Sequence, residues 1–197
     1  LQCLKASGTG ALYGIYQISS PTNETYNNNT VHTLLHNGTG IVYGIYSFST
    51  TGTRSTSGNV IYNLSTGGTT ISGINQSSSS PNIFNNKIYD IQSTNAAPTV
   101  SGISITSVGT AGVANIQNNL IGDLRAPNAV STTAPSVRGI SSAVTVASSN
   151  LNIQYNTVHL DATSVGATFS TAALFMTSSA TATTAALTLR NNILVNN

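Results

Sequence analysis

An asparagine followed two positions later by an aliphatic residue recurs along the chain: Asn29-Thr30-Val31, Asn59-Val60-Ile61, Asn86-Lys87-Ile88, Asn119-Leu120-Ile121, Asn156-Thr157-Val158 and Asn192-Ile193-Leu194. The separations are 30, 27, 33, 37 and 36 residues. Self-similarity at such a period marks a stack of one supersecondary unit, which buries its apolar face only against its neighbours. A second landmark, glycine before isoleucine, falls once per repeat at Gly14-Ile15, Gly44-Ile45, Gly73-Ile74, Gly102-Ile103 and Gly139-Ile140, continued loosely by Ala173-Leu174. Alternating segments such as Val113-Ala114-Asn115-Ile116, Leu151-Asn152-Ile153 and Leu187-Thr188-Leu189 precede the later asparagines.

Each repeat therefore holds two or three short strands of period two, separated by turns such as Ser77-Ser78-Ser79-Ser80-Pro81 and Ala96-Ala97-Pro98. No stretch has capped helical periodicity, which excludes a strand-and-helix solenoid. The expected fold is all-β, a right-handed parallel β-helix of about six rungs with 27 to 37 residues per rung, each strand pairing with its equivalent about 4.8 Å away. Residues 1–197 read as one solenoid, expected to be a segment of a longer protein or a fibre-forming unit, because neither end carries a recognisable cap.

Composition excludes the competing classes. Only 5% of residues are charged, against about 25% in ordinary soluble domains. No apolar run reaches the roughly eighteen residues of a membrane span, and 39% hydrophobic residues at regular spacing argue against general disorder. The polar cover must come from Ser, Thr and Asn. Six scattered Lys and Arg and a net charge of +2 make no stripe for phosphates, so nucleic acid is not an expected partner. A single cysteine, Cys3, excludes a disulfide framework within the chain and a thiolate metal cluster.

The asparagine column reads as a structural ladder of Asn29, Asn59, Asn86, Asn119, Asn156 and Asn192, bonded side chain to side chain and tolerating the left-handed conformation of a sharp corner. The glycine column implies a tight bend or a close backbone approach. Val31, Ile61, Ile88, Ile121, Val158 and Leu194 are expected to form one buried stack. Ile15, Ile45, Ile74, Ile103, Ile140 and Leu174 form a second.

The segment Ile83-Phe84-Asn85-Asn86-Lys87-Ile88-Tyr89-Asp90-Ile91, followed by Val100-Ser101-Gly102-Ile103, resembles the Asn-rich repeat regions of very large Bacteroidetes surface proteins. The likeness runs from about Ala11 to Asn197. It implies a right-handed parallel β-helix in a protein similar to type IX secretion cargo. It implies no catalytic motif, since that family is defined by its repeats, and the C-terminal sorting domain of such cargo has no counterpart here.

Parallel β-helices also carry polysaccharide lyases and hydrolases, so the four acidic residues, Glu24, Asp90, Asp123 and Asp161, are the candidates for chemistry. Asp90 and Asp123 hold the same place in successive repeats, four residues after the column asparagine, with Asn63 one repeat earlier. Stacked about one rung apart they repel unless splayed, protonated or bridged by a cation; a Ca²⁺ would take Asn63, Asp90, Asp123 and loop carbonyls as ligands. The bland reading is a pair of solvated turn carboxylates with Lys87 and Arg125 nearby. Glycosidase chemistry needs two carboxyls about 5 to 9.5 Å apart, one with a raised pKa, and nothing in the sequence predicts the raised pKa. A lyase pairing of Asp161 with Arg138 lacks the other acidic ligands.

The residue after each stack position forms an outward column, His32, Tyr62, Tyr89, Gly122 and His159, and Tyr16 and Tyr46 form a shorter one. Such rings serve either as a platform for sugars or partner proteins, or as ordinary cross-strand stabilisers. His36 is read as standing alone in a polar turn. The leading expectation is a non-enzymatic, secreted or cell-surface scaffold or adhesin segment with no cofactor, stacking end to end with itself. The alternative is a carbohydrate-binding or polysaccharide-degrading module on the same fold, with polysaccharide or cell-surface glycans as partners.

Overall fold

The computed structural model describes residues 3–5, 7–18, 22–49, 51–130, 134–143, 146–177 and 184–197, in strands joined by turns and loops with no helix among them. Among the described residues no helix is long and apolar enough to cross a membrane. The strands sort into three parallel sheets, visited in strict rotation. Sheet A takes Cys3–Lys5, Thr30–His36, Val60–Thr66, Lys87–Ser93, Leu120–Gly122 with Leu124–Arg125, Thr157–Leu160 and Ile193–Asn196. Sheet B takes Leu12–Gln17, Val42–Phe48, Thr70–Ser78, Thr99–Val108, Val137–Ser142 and Thr171–Met176. Sheet C takes Asn23–Asn27, Thr53–Ser57, Ser80–Phe84, Val113–Gln117, Asn150–Gln154 and Ala186–Arg190. This is the parallel β-helix that the repeat predicts.

The register follows the landmarks. Val31, Ile61, Ile88, Ile121, Val158 and Leu194 are successive partners in sheet A. Ile15, Ile45, Ile74, Ile103, Ile140 and Leu174 are successive partners in sheet B. Both stacks lie in the core through their central members, but Leu194, expected to be buried, stands open because no strand follows it in the described structure.

The asparagine ladder lies at the corner between sheets C and A. Each Oδ1 from Asn59 onward accepts two bonds from the asparagine one rung before it, for example from Asn86 N at 3.0 Å and Asn86 Nδ2 at 2.9 Å onto Asn119 Oδ1. Each Nδ2 from Asn59 onward also donates to a carbonyl of the preceding rung, as Asn119 does to Ile83 O at 2.9 Å. A ladder asparagine such as Asn119 thereby uses both amide hydrogens and both oxygen lone pairs, its whole hydrogen-bonding inventory, in a site closed to water. The left-handed corner belongs to the residue before the ladder: Asn28, Gly58, Asn85, Asn118, Tyr155 and Asn191 have φ between 52° and 64°, whereas no ladder asparagine has a positive φ. The corner and the amide stack are thus two jobs held by neighbouring positions.

The glycine column answers to close approach. A Cβ on Gly102 would sit 2.5 Å from Ile121 Cγ2 and 2.7 Å from the Gly139 carbonyl oxygen, and Gly44, Gly73 and Gly139 meet equivalent atoms. Sheet A thereby presses its aliphatic stack directly onto the sheet B backbone. At the corner between these sheets His36, Thr66 and Ser93 are buried in register. Each bonds the glycine carbonyl of the preceding turn (Gly10, Gly40 and Gly68) and accepts the amide N–H two residues on. His36 is therefore one member of a repeated turn clamp, not an isolated polar residue.

Candidate functional site

Asp90 and Asp123 occupy the stacked positions read from the sequence, and the backbone explains why acids stand there. Thr33, Asn63, Asp90 and Asp123 all have φ between 47° and 56°, forming a second left-handed column inside sheet A. Asn and Asp tolerate that conformation better than other side chains with a Cβ. The strand bends at this point, and the pairing passes from Tyr62 and Tyr89 directly to Leu64 and Ile91.

The two carboxylates share Arg125. Its Nη2 donates to Asp90 Oδ1, and its Nε lies 3.3 Å from Asp123 Oδ1. The guanidinium takes the place between the acids that a bridging cation would need, and it relieves the same repulsion. Among the described residues no three His, Cys, Asp or Glu side chains come together as a metal cluster. Asp161 is exposed, while Arg138 turns over the Phe175 ring at 4.2 Å and donates from Nε to Pro135 O. Burial lowers the Arg138 pKa from its ordinary value.

The outward aromatic column is real but broken. His32, Tyr62 and Tyr89 stack with centroids 5.2 Å apart and planes within 8° of parallel, and Lys87 Nζ lies 5.0 Å from the Tyr89 centroid. Gly122 interrupts the column, leaving His159 exposed and separate. Tyr16 and Tyr46 also stack, at 5.5 Å and 15°. They belong to a cluster of four completed by Tyr13 and Tyr43, which contact them at 4.4 to 5.5 Å. In both groups much of the ring surface is spent on neighbouring rings, which is the cross-strand stabiliser's geometry. Burial first, then the neighbouring Tyr46 and Tyr13, pushes the Tyr43 pKa up to about 12.

Two features escaped the sequence reading. Glu24, weighed there only as one acid among four, and Arg54 both point inward from sheet C, joined by a 2.7 Å ion pair from Arg54 Nε to Glu24 Oε2. Tyr26 donates its hydroxyl to the same carboxylate oxygen, Ser47 lies 3.5 Å from it, and Thr56 donates to Gln76 Oε1 at 2.9 Å. The signal was available: Glu24 and Arg54 both stand five residues before a ladder asparagine, the place that Ala114 and Leu151 fill later.

The second feature is an open groove of about 350 Å³ on the outer face of sheet C, lined by Ser55, Asn82, Phe84, Asn115 and Gln117. Asn115 Nδ2 donates to Asn82 Oδ1 at 2.7 Å, and Asn152 Nδ2 donates to Asn115 Oδ1 at 2.9 Å, so a second amide ladder forms the groove wall. Comparison with protein-family models, curated proteins and solved structures finds no match to this chain.

Proposed function

We propose that this solenoid is a non-enzymatic structural segment of a secreted or cell-surface protein, one that extends a rod rung upon rung, within a longer chain or by stacking end to end on a second copy. One observation carries the reading. Leu187, Leu189 and Leu194, the inward positions of the last strands in sheets C and A, are 44%, 48% and 40% exposed, while their equivalents one rung earlier, Leu151, Ile153 and Val158, are at 2% or less. The last rung of residues 1–197 thus presents aliphatic side chains and a strand edge to the rung that comes next, whether a continuation of the chain or a second copy. All strands are parallel, so the last edge of one copy matches the first edge of the next, a heterologous contact that propagates without closing. Low charge leaves little repulsion to oppose it.

The carboxylates support the non-enzymatic half of the proposal: Glu24 is enclosed in the core, and Asp90 and Asp123 are both held by Arg125. The extracellular placement rests on the resemblance to Asn-rich surface-protein repeats. Sedimentation velocity and negative-stain imaging at micromolar concentration test the stacking. Filaments that disappear in Leu189→Asp are expected, and a monodisperse monomer overturns stacking between copies.

A further inference from the structure

We infer that the groove on the outer face of sheet C is a binding site for a neutral polysaccharide lying along the solenoid axis. The inference stands apart from the stacking proposal, since it uses a side face of the rod and not an end.

The lining is chemically uniform. Two outward columns meet in the groove, Ser55, Asn82 and Asn115 in one and Phe84 and Gln117 in the other, and Asn152 and Gln154 continue them on the next strand. None of these residues is charged, and the ionic side chains of the first two strands in this sheet, Glu24 and Arg54, are turned into the core. Arg190 enters the second column only at the last strand. An anionic glycan or a nucleic acid would need cations here, so the face fits an uncharged ligand.

The hydrogen-bonding capacity is directional and pre-set. An amide side chain offers two donor hydrogens and two acceptor lone pairs. Within the column Asn115 spends one hydrogen on Asn82 and one lone pair on Asn152, which fixes its orientation and leaves one of each for a ligand. A sugar hydroxyl, donor and acceptor at once, matches such a pair. Gln117, which lines the groove beside Phe84, makes no side-chain hydrogen bond among the described residues. Phe84 is half-buried and offers an apolar ring surface for the C–H face of a pyranose.

The repeat favours a polymer. Equivalent amides recur at the rung spacing of about 4.8 Å, close to the rise of one hexose in an extended β-linked chain. Successive sugars thus meet Asn82, Asn115 and Asn152 in turn. A groove with a few fixed polar groups and one apolar surface is the general form of a small-ligand site.

Titration calorimetry of the full chain with cellohexaose, laminarihexaose, xylohexaose and chitohexaose tests the site, with a galacturonic acid hexamer as the charged comparison. At least one neutral hexaose should bind, and Phe84→Ala and Gln117→Ala should each weaken it by about tenfold or more. Tyr62→Ala and Tyr89→Ala, on sheet A, should leave the affinity unchanged. Thermal melts accompany each variant; if Phe84→Ala does not fold, the Gln117→Ala result decides alone. The proposal is overturned by no binding of any neutral hexaose, by binding confined to the acidic hexamer, by full affinity in the groove variants, or by loss in the sheet A variants alone.

Discussion

Glu24 and Arg54 occupy the same inward position of neighbouring sheet C strands, with Nε 2.7 Å from Oε2, inside a core that the later rungs fill with aliphatic side chains. Glu24 Oε1 is buried there with no hydrogen-bond partner. Breaking a buried pair leaves one charge uncompensated, at a typical cost of about 3 to 5 kcal/mol, whereas replacing both partners by apolar residues is often neutral or favourable. Urea denaturation should show Arg54→Met strongly destabilised and the double variant Glu24→Leu/Arg54→Leu near wild type. Equal loss in single and double variants would refute this account of the pair.

The ladder makes a graded prediction. Asn119→Ala removes the acceptor for both Asn86 N and Asn86 Nδ2 and the donor to Ile83 O and Asn156 Oδ1, all closed to water. Each buried group left unpaired costs about 1 to 3 kcal/mol. Asn29→Ala should cost markedly less, because among the described residues the Asn29 side chain makes one hydrogen bond, to Asn59 Oδ1. Chemical denaturation of the two variants side by side measures the difference.

Two glycines, Gly102 in sheet B and Gly122 in sheet A, should respond differently. A Cβ at Gly102 meets side-chain and backbone atoms at 2.5 and 2.7 Å, whereas at Gly122 it meets only the His159 carbonyl oxygen at 3.4 Å. Overpacking of the first kind costs about 1 to 3 kcal/mol. Gly102→Ala should therefore lower the melting temperature, and Gly122→Ala should leave it nearly unchanged.

Alkali should act through the tyrosines. Burial, then the hydrogen bond to Glu24, raises the Tyr26 pKa from 10.0 to about 12, and Tyr43 rises to about 12 as well. The folded state then keeps protons that the unfolded chain loses. The associated stability is complete below pH 10 and declines as pH climbs toward 12. Ultraviolet titration of tyrosinate should show a late group of ionisations that merges with the early one on unfolding; a single early transition in the folded protein would contradict this.

Chelation should have no effect on the melting temperature. The Asp90, Arg125 and Asp123 cluster is about half exposed and needs no added cation to relieve its repulsion. Asp123→Asn should change stability by no more than about 1 kcal/mol, the range of surface ion pairs. A clear fall in melting temperature on adding chelator would instead assign a metal to Asn63, Asp90 and Asp123.

The fold was legible in the sequence because a solenoid repeats its constraints. Asn86 and Asn119, or Ile88 and Ile121, do the same job one rung apart, so their spacing exposes the period and their alternation exposes the inward face. The candidate sites were less legible. Asp90 and Asp123 stood out as acids, yet a left-handed backbone position already favours Asp or Asn there. His36 looked solitary because its partner, Gly10 O, lies 26 residues away.

The sequence by itself determined the period, the stacked columns and the poverty of charge, since these are properties of local pattern and count. Only the tertiary structure decided which side chains meet across sheets. Glu24 and Arg54 pair in the core, Arg125 spans two carboxylates, and the glycine column yields room to the aliphatic stack of sheet A. The amides of sheet C line a groove because the columns holding Asn82, Phe84, Asn115 and Gln117 are brought together on one outward face. The reason is that contacts between neighbouring rungs follow from the repeat, whereas contacts across the interior depend on how far each turn carries the chain before the next strand begins.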